Sequence, residues 1–85
     1  MATEIEVGVV THYFGHLNVA GIKLTNSLVV GDALHIKGHT TDLVLAVDSI
    51  QIEHKSVQQA APGDNVGIKV PGHVREHDKV FKAVP

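Results

Sequence analysis

The sequence contains no cysteine, and this absence excludes three kinds of chemistry at once. Disulfide bonds, thiolate metal sites and cysteine nucleophiles all require a thiol. A chain of 85 residues without disulfides must therefore be stabilised by its own hydrophobic core or by a partner.

Long apolar runs are also missing. No stretch approaches the roughly 18 consecutive apolar residues of a transmembrane helix. The first residues, MATEIEVGVV, lack the basic and apolar regions of a signal peptide. The sequence therefore predicts a cytoplasmic protein that does not bind membranes.

Positive charge is scarce as well. The chain has seven Lys and Arg residues and nine Asp and Glu residues, which gives a net charge of −2. Non-specific binding of nucleic acid requires a strong cationic field. Any contact with RNA would have to be local.

Motifs for nucleotide and hydrolase chemistry are absent too. The sequence has no G-x-x-x-x-G-K-[ST] loop, no G-x-G-x-x-G turn and no G-x-S-x-G elbow. Its carboxylates fall on segments expected to face solvent, which does not favour a general acid and base pair. We therefore expect no bound nucleotide, no cofactor, no catalytic residue and no enzymatic activity.

The residues that are abundant favour β-structure. Valine and isoleucine dominate the apolar set, and β-branched side chains suit a pleated sheet. Turn residues recur every eight to twelve positions, as in a barrel or sandwich of short strands. We predict one all-β domain over residues 1–85, with no GTP-binding domain. In residues 33–37, Leu34 and Ile36 should face the core, whereas His35 and Lys37 should face outward.

The segment from Leu43 to His54 reads as the longest strand, but its apolar pattern changes parity. Leu45 and Val47 belong to one face, and Ile50 and Ile52 to the other. We predict a β-bulge at residues 48–49 to correct this change. Residues 57–61 could form one helical turn, and Pro-Gly pairs predict turns at 61–64 and 70–73.

Histidine is unusually frequent, with seven residues in the chain. Three pairs have i, i+4 spacing: His12/His16, His35/His39 and His73/His77. Residues with this spacing lie about 13 Å apart along a strand, too far to chelate one ion. We therefore predict no metal site, and a pH response is the milder alternative.

Three segments together resemble the second, β-barrel domain of translational GTPases such as elongation factor Tu. They are LVVGDALHIKG at 28–38, SIQIEHKSVQQAAPGDNVGIKV at 49–70 and VREHDKVFKAV at 74–84. The chain also looks like the small translation elongation factor-like proteins of prokaryotes. Related barrels accompany collagenase-like peptidases as accessory domains.

The resemblance implies a closed, six-stranded, antiparallel β-barrel of Greek-key type. It also implies contact with ribosomal RNA or with the aminoacylated end of tRNA. The positions that match the tRNA pocket are Gln51, Glu53, His54 and Asp64. Gln51 and Glu53 depart from the acidic and aromatic residues that the family has there.

Two main hypotheses of function follow. The first is a non-catalytic, RNA-binding or protein-binding module of the translation machinery. The alternative is an accessory, protein-interaction barrel that partners a separately encoded enzyme such as a collagenase-like peptidase. A histidine-based metal or pH sensor is a third hypothesis. The residues expected to form the binding surface are His12, His16, Lys37, His39, Thr40, Thr41, Gln51, Glu53, His54, Asp64, His73, Arg75 and His77.

Overall fold

The computed structural model describes residues 3–84, which form ten β-strands. Within this range no helix is long and apolar enough to cross a membrane. The strands are β1 (Thr3–Phe14), β2 (Val19–Leu24), β3 (Leu28–Val29), β4 (Ala33–Lys37), β5 (Asp42–Ala46), β6 (Ile50–Ile52), β7 (Lys55–Val57), β8 (Gln59–Ala60), β9 (Asn65–Lys69) and β10 (Lys79–Val84).

Eight of these strands form one antiparallel sheet, in the order β5-β4-β10-β1-β2-β9-β6-β7. Strands β3 and β8 form a second, two-stranded sheet. This small sheet connects the two ends of the large one: the Val30 N–H donates to the Gln58 carbonyl, and the Gly31 N–H donates to the Val47 carbonyl. The all-β, antiparallel prediction is confirmed. The six-stranded closed barrel is not found, because the strand pairing of residues 3–84 leaves β5 and β7 as edges.

The core follows the alternation expected from the sequence. In β2, Ala20, Ile22 and Leu24 are buried while Lys23 is exposed. Leu34 and Ile36 of β4 are likewise buried. Each fully buried aliphatic side chain contributes about 1.5–3 kcal/mol to the free energy of unfolding. This continuous apolar core holds the sheet rigid beneath its outer face.

Bulges occur in β1 and not at residues 48–49. The pairing register shifts between Glu6 and Gly8 against β10, and between Val10 and His12 against β2. Each extra residue bends the strand and increases its twist. Strand β1 can therefore curve between its two neighbours, and the second bulge sets the outward direction of His12.

Two further predictions for residues 43–61 are wrong. The segment at 43–54 is not one strand: β5 lies at one end of the large sheet, and β6 lies near the other. The change of parity marks the crossing between them, over residues 47–49. The helical turn at 57–61 is replaced by parts of β7 and β8. The turn at 61–64 is confirmed, and its Gly63 has a positive φ of 92°.

Candidate binding groove on the outer face of the sheet

Two glycines form the floor of a groove on the outer face of the large sheet. Gly21 of β2 and Gly67 of β9 lie directly opposite each other, between buried neighbours, so both positions face outward. The row continues to His12 on β1 and to Gln51 on β6. Because the two central positions lack side chains, the sheet surface is lowered over two strand spacings, about 10 Å.

Exposed apolar side chains form one wall of this glycine-floored groove. Phe14 is 45% exposed and Leu17 is 62% exposed, and both line it together with Val19. The groove has a volume of about 450 Å³. That volume lies within the usual range of small-molecule sites.

A strained turn forms the opposite wall. Glu53 and His54 connect β6 to β7 with φ values of 50° and 66°. Positive φ at both positions of a two-residue hairpin loop defines a type I′ turn, which favours Asn-Gly. Left-handed backbone costs about 1–2 kcal/mol for each residue with a Cβ. Strain of this kind often accompanies a functional surface.

Polar groups lie at the rim of the groove. The Thr11 hydroxyl donates to the Gly21 carbonyl at 3.2 Å. The His12 ring packs against Phe14, with ring centroids 4.4 Å apart, and its Nδ1 lies 3.8 Å from a Glu76 carboxylate oxygen. The side chains of Gln51 and Asn65 also line the groove and can donate or accept hydrogen bonds. This arrangement can bind an apolar side chain of a ligand and form hydrogen bonds with the main chain of the same ligand.

The structure brings four of the predicted binding residues together in this groove: His12, Gln51, Glu53 and His54. The other residues lie elsewhere. His16 is exposed in the β1–β2 turn, and Lys37 lies opposite Asp42 at the end of β4. His39 and Thr40 are exposed in the following loop, whereas Thr41 is 7% exposed and therefore buried.

The remaining predicted residues have visible structural contacts. Asp64 accepts a hydrogen bond from the Ala61 N–H at 2.8 Å and so closes its turn. The His73 ring lies edge-on to Tyr13, with centroids 4.6 Å apart. The main-chain N–H of Arg75 donates to Asp78, and that of His77 donates to the Val10 carbonyl. That these side chains belong to a binding surface stays a prediction.

The floor and the apolar wall of the groove were not predicted from the sequence. One sequence feature indicated the floor: the segments GIKL at 21–24 and GIKV at 67–70 both begin with glycine, and these two glycines, Gly21 and Gly67, lie opposite each other in the sheet. The exposure of Phe14 and Leu17 had no local signal, since apolar residues near a turn are usually assigned to the core.

A second cluster, outside the groove, surrounds His35. Its Nδ1 lies 2.8 Å from a Glu4 carboxylate oxygen, and its Nε2 lies 2.5 Å from one of Asp42. Hydrogen bonds to Asp42 and then to Glu4 raise the pKa of His35 above 6.5. The hydrogen bond from His35 lowers the pKa of Asp42 below 3.8. Across residues 3–84, no group of three or more His, Asp or Glu side chains is placed to hold a metal ion.

Comparisons with known proteins find similarity to segments of proteins that are named protease and collagenase. No protein-family model matches the chain. An uncharacterized protease of Methanocaldococcus jannaschii is 42% identical over 79 residues, which cover 92% of this chain and 19% of that protein. A collagenase of Porphyromonas gingivalis is 33% identical over 81 residues, 93% of this chain and 20% of that protein. The chain thus spans about a fifth of the length of these relatives.

Solved structures show the same fold. The C-terminal domain of a U32 peptidase from Geobacillus thermoleovorans has a TM-score of 0.84 over 89% of both chains, with 20% identity. The selenomethionine variant of that domain has a TM-score of 0.85 with 19% identity, over 89% of this chain and 96% of that one.

These comparisons correct three predictions. The resemblance to the second domain of translational GTPases is wrong, because the similar proteins are named protease and collagenase and the similar structures belong to a U32 peptidase. The assignment to translation and RNA binding is wrong for the same reason. The expectation of no enzymatic activity is contradicted as well, because the similar proteins are named protease and collagenase. Turn and strand sequences such as GDNVG satisfy a local backbone geometry, so they do not by themselves identify a family.

Proposed function

We propose that the chain is an accessory domain that works with a collagenase-like peptidase, in the same polypeptide or in a separate one. Its part is to bind protein segments in the glycine-floored groove. The observation that carries this proposal is the row from His12 through Gly21 and Gly67 to Gln51, with exposed Phe14 and Leu17 beside it. The cytoplasmic location expected from the sequence stays a prediction.

The shape and chemistry of the groove support a peptide as the ligand. Its lining is mostly apolar, yet amide, hydroxyl and imidazole groups lie along the rim. A peptide offers both an apolar side chain for the floor and main-chain groups for the rim. The net charge of −2 gives no general attraction for polyanions.

The relatives support the setting of this activity. Proteins named protease and collagenase carry a segment similar to nearly the whole of this chain, and the segment makes up about a fifth of each. A domain of this size beside a larger one can hold a substrate near the reacting groups, which raises its effective concentration.

The test measures binding of fluorescent gelatin and casein fragments to the 85-residue chain by anisotropy. Leu17 is 62% exposed, so Leu17→Asp should not disturb the core. If the groove buries this side chain against a ligand, the charge should weaken binding about tenfold, since about 1.4 kcal/mol is a factor of ten.

The matched control is Val29→Asp, which places the same charge at a 40% exposed valine that does not line the groove. It should bind as the unaltered chain does. Equal loss in both variants, or no binding of either probe, would contradict the proposal.

A further inference from the structure

The two edges of the large sheet differ in how they are protected. Strand β7 has only three residues, includes Lys55 and follows a tight turn. Short length and lysine are the usual means by which proteins protect a free edge from pairing. Strand β5 has five residues, DLVLA, without lysine, proline or a bulge. It therefore offers an unprotected edge.

The edge of β5 is available for pairing. Its residues 42–46 pair with β4 on one side, and β5 ends the strand order on the other. Within residues 3–84, the nearest main-chain hydrogen bonds outside the ladders are at Thr41, before β5, and at Val47, after it, and none involves residues 42–46. Because alternate N–H and C=O groups of an edge strand point away from its partner, β5 presents donors and acceptors without a strand to bind them.

A cleft of about 450 Å³ lies along this edge. On one side it is lined by Val44, Leu45 and Ala46 of β5, and on the other by Lys69, Val70 and Pro71. Val44 is 70% exposed, the most exposed large apolar side chain among residues 3–84. The wall at residues 69–72 approaches β5, since a Cβ on Gly72 would lie 3.4 Å from Leu43.

We propose that the edge of β5 is a second protein-binding site, which takes one extended peptide strand by antiparallel or parallel pairing. Main-chain groups along the edge supply the hydrogen bonds, and Val44 supplies an apolar contact. This site is separate from the glycine-floored groove and does not depend on it.

The walls and charges of the cleft favour a peptide over a second copy of the chain. A strand of three or four residues extends about 10–13 Å, a length that the edge of β5 accommodates. The far wall at residues 69–71 stands beside this edge, and a second copy would have to bring its whole sheet past that wall. Asp48 and Lys69 give the cleft one charge of each sign. That balance matches neutral peptide groups better than a polyanion.

The probe is a capped synthetic peptide with the sequence ALHIK, which copies β4. This sequence already pairs with β5 on its other edge. Amide NMR of the 85-residue chain, with peptide added to millimolar concentration, should show shifts and slower hydrogen exchange confined to residues 42–48 and 69–71. Two further peptides carry N-methyl groups, one on the odd-numbered and one on the even-numbered main-chain nitrogens. One of the two should lose binding, because alternate N–H groups point to opposite edges of the added strand and only one set can donate to β5.

Val44→Lys should weaken peptide binding about tenfold by protecting the edge, and Val29→Asp, which lies outside both the groove and the cleft, should not alter it. Three outcomes would overturn the proposal: no shifts along β5 with the peptide, equal binding of both methylated peptides, or shifts that depend on protein concentration without peptide. The last outcome would assign the edge to a second copy of the chain.

Discussion

Gly21 lies directly opposite Gly67, and the two missing side chains create the floor of the groove. A Cβ on Gly21 would meet its nearest neighbours at 3.5 Å, an ordinary contact distance. Nothing in the packing of the sheet therefore requires glycine at position 21. Since glycine weakens a strand interior, its presence here favours a role in leaving space above the sheet.

Gly21→Val should fill the groove without unfolding the domain. We expect unchanged or slightly higher stability, because valine suits a strand, and weaker binding of gelatin or casein fragments. Urea denaturation and anisotropy measure the two effects. Gly8→Ala is the contrasting variant: its Cβ would lie 2.6 Å from the Lys23 carbonyl oxygen, so it should cost about 1–3 kcal/mol. Unimpaired binding by stable Gly21→Val would show that the floor is not used.

The turn at Glu53 and His54 should be easy to stabilise. Replacing both residues with Asn-Gly provides the sequence that a type I′ turn prefers and should raise the free energy of unfolding by about 1–2 kcal/mol. The midpoint of urea unfolding measures this gain. If the strained pair serves the groove, the same variant should bind peptide more weakly. A gain in stability with full binding would show that the strain has no role in recognition.

Stability should depend on pH through His35 and Asp42. The folded pKa of His35 is raised, so its contribution is complete below about pH 6.5 and is lost as pH rises through the folded value. The folded pKa of Asp42 is lowered, so its contribution is complete above about pH 3.8 and is lost as pH falls through the folded value. This pair should therefore stabilise the fold most between these two limits.

His35→Gln tests that window. The neutral amide cannot carry the imidazolium charge between Glu4 and Asp42, so the decline in stability as pH rises above about 6.5 should flatten. Urea midpoints measured across the pH range, in His35→Gln and in the unaltered chain, give the comparison. His16→Gln is the control, because His16 is exposed and, within residues 3–84, forms no ion pair with a carboxylate. An identical decline in His35→Gln would assign the pH dependence to other groups.

Gly38 and Asp78 should behave as a coupled pair. Asp78 is 5% exposed, and its carboxylate accepts the Arg75 N–H at 2.9 Å. A Cβ on Gly38 would overlap this carboxylate, so Gly38→Ala should displace it and cost about 1–3 kcal/mol. In the double variant with Asp78→Ala, the two losses should be less than additive. Strict additivity in urea denaturation would show that the two positions are independent.

The sequence by itself determined the local features of this protein. Valine and isoleucine at alternate positions made the strands and their inward faces predictable, as in Ile22, Leu34 and Ile36. The Pro-Gly pair at 62–63 likewise predicted a turn, since glycine accepts positive φ at low cost. These features depend on neighbouring residues alone.

Pairing between distant strands was decided only by the tertiary structure. The change of parity in residues 43–54 is compatible with a bulge in one strand or with a connection between two strands. In the structure, residues 47–49 connect β5, at one end of the sheet, to β6, near the other end. Glu4 and His35 are 31 residues apart in sequence, and Gly21 and Gly67 come from separate strands. Register across strands is set by the packing of the whole core, so no local pattern reveals which residues will meet. The groove and the open edge of β5 are therefore properties of the fold rather than of any segment.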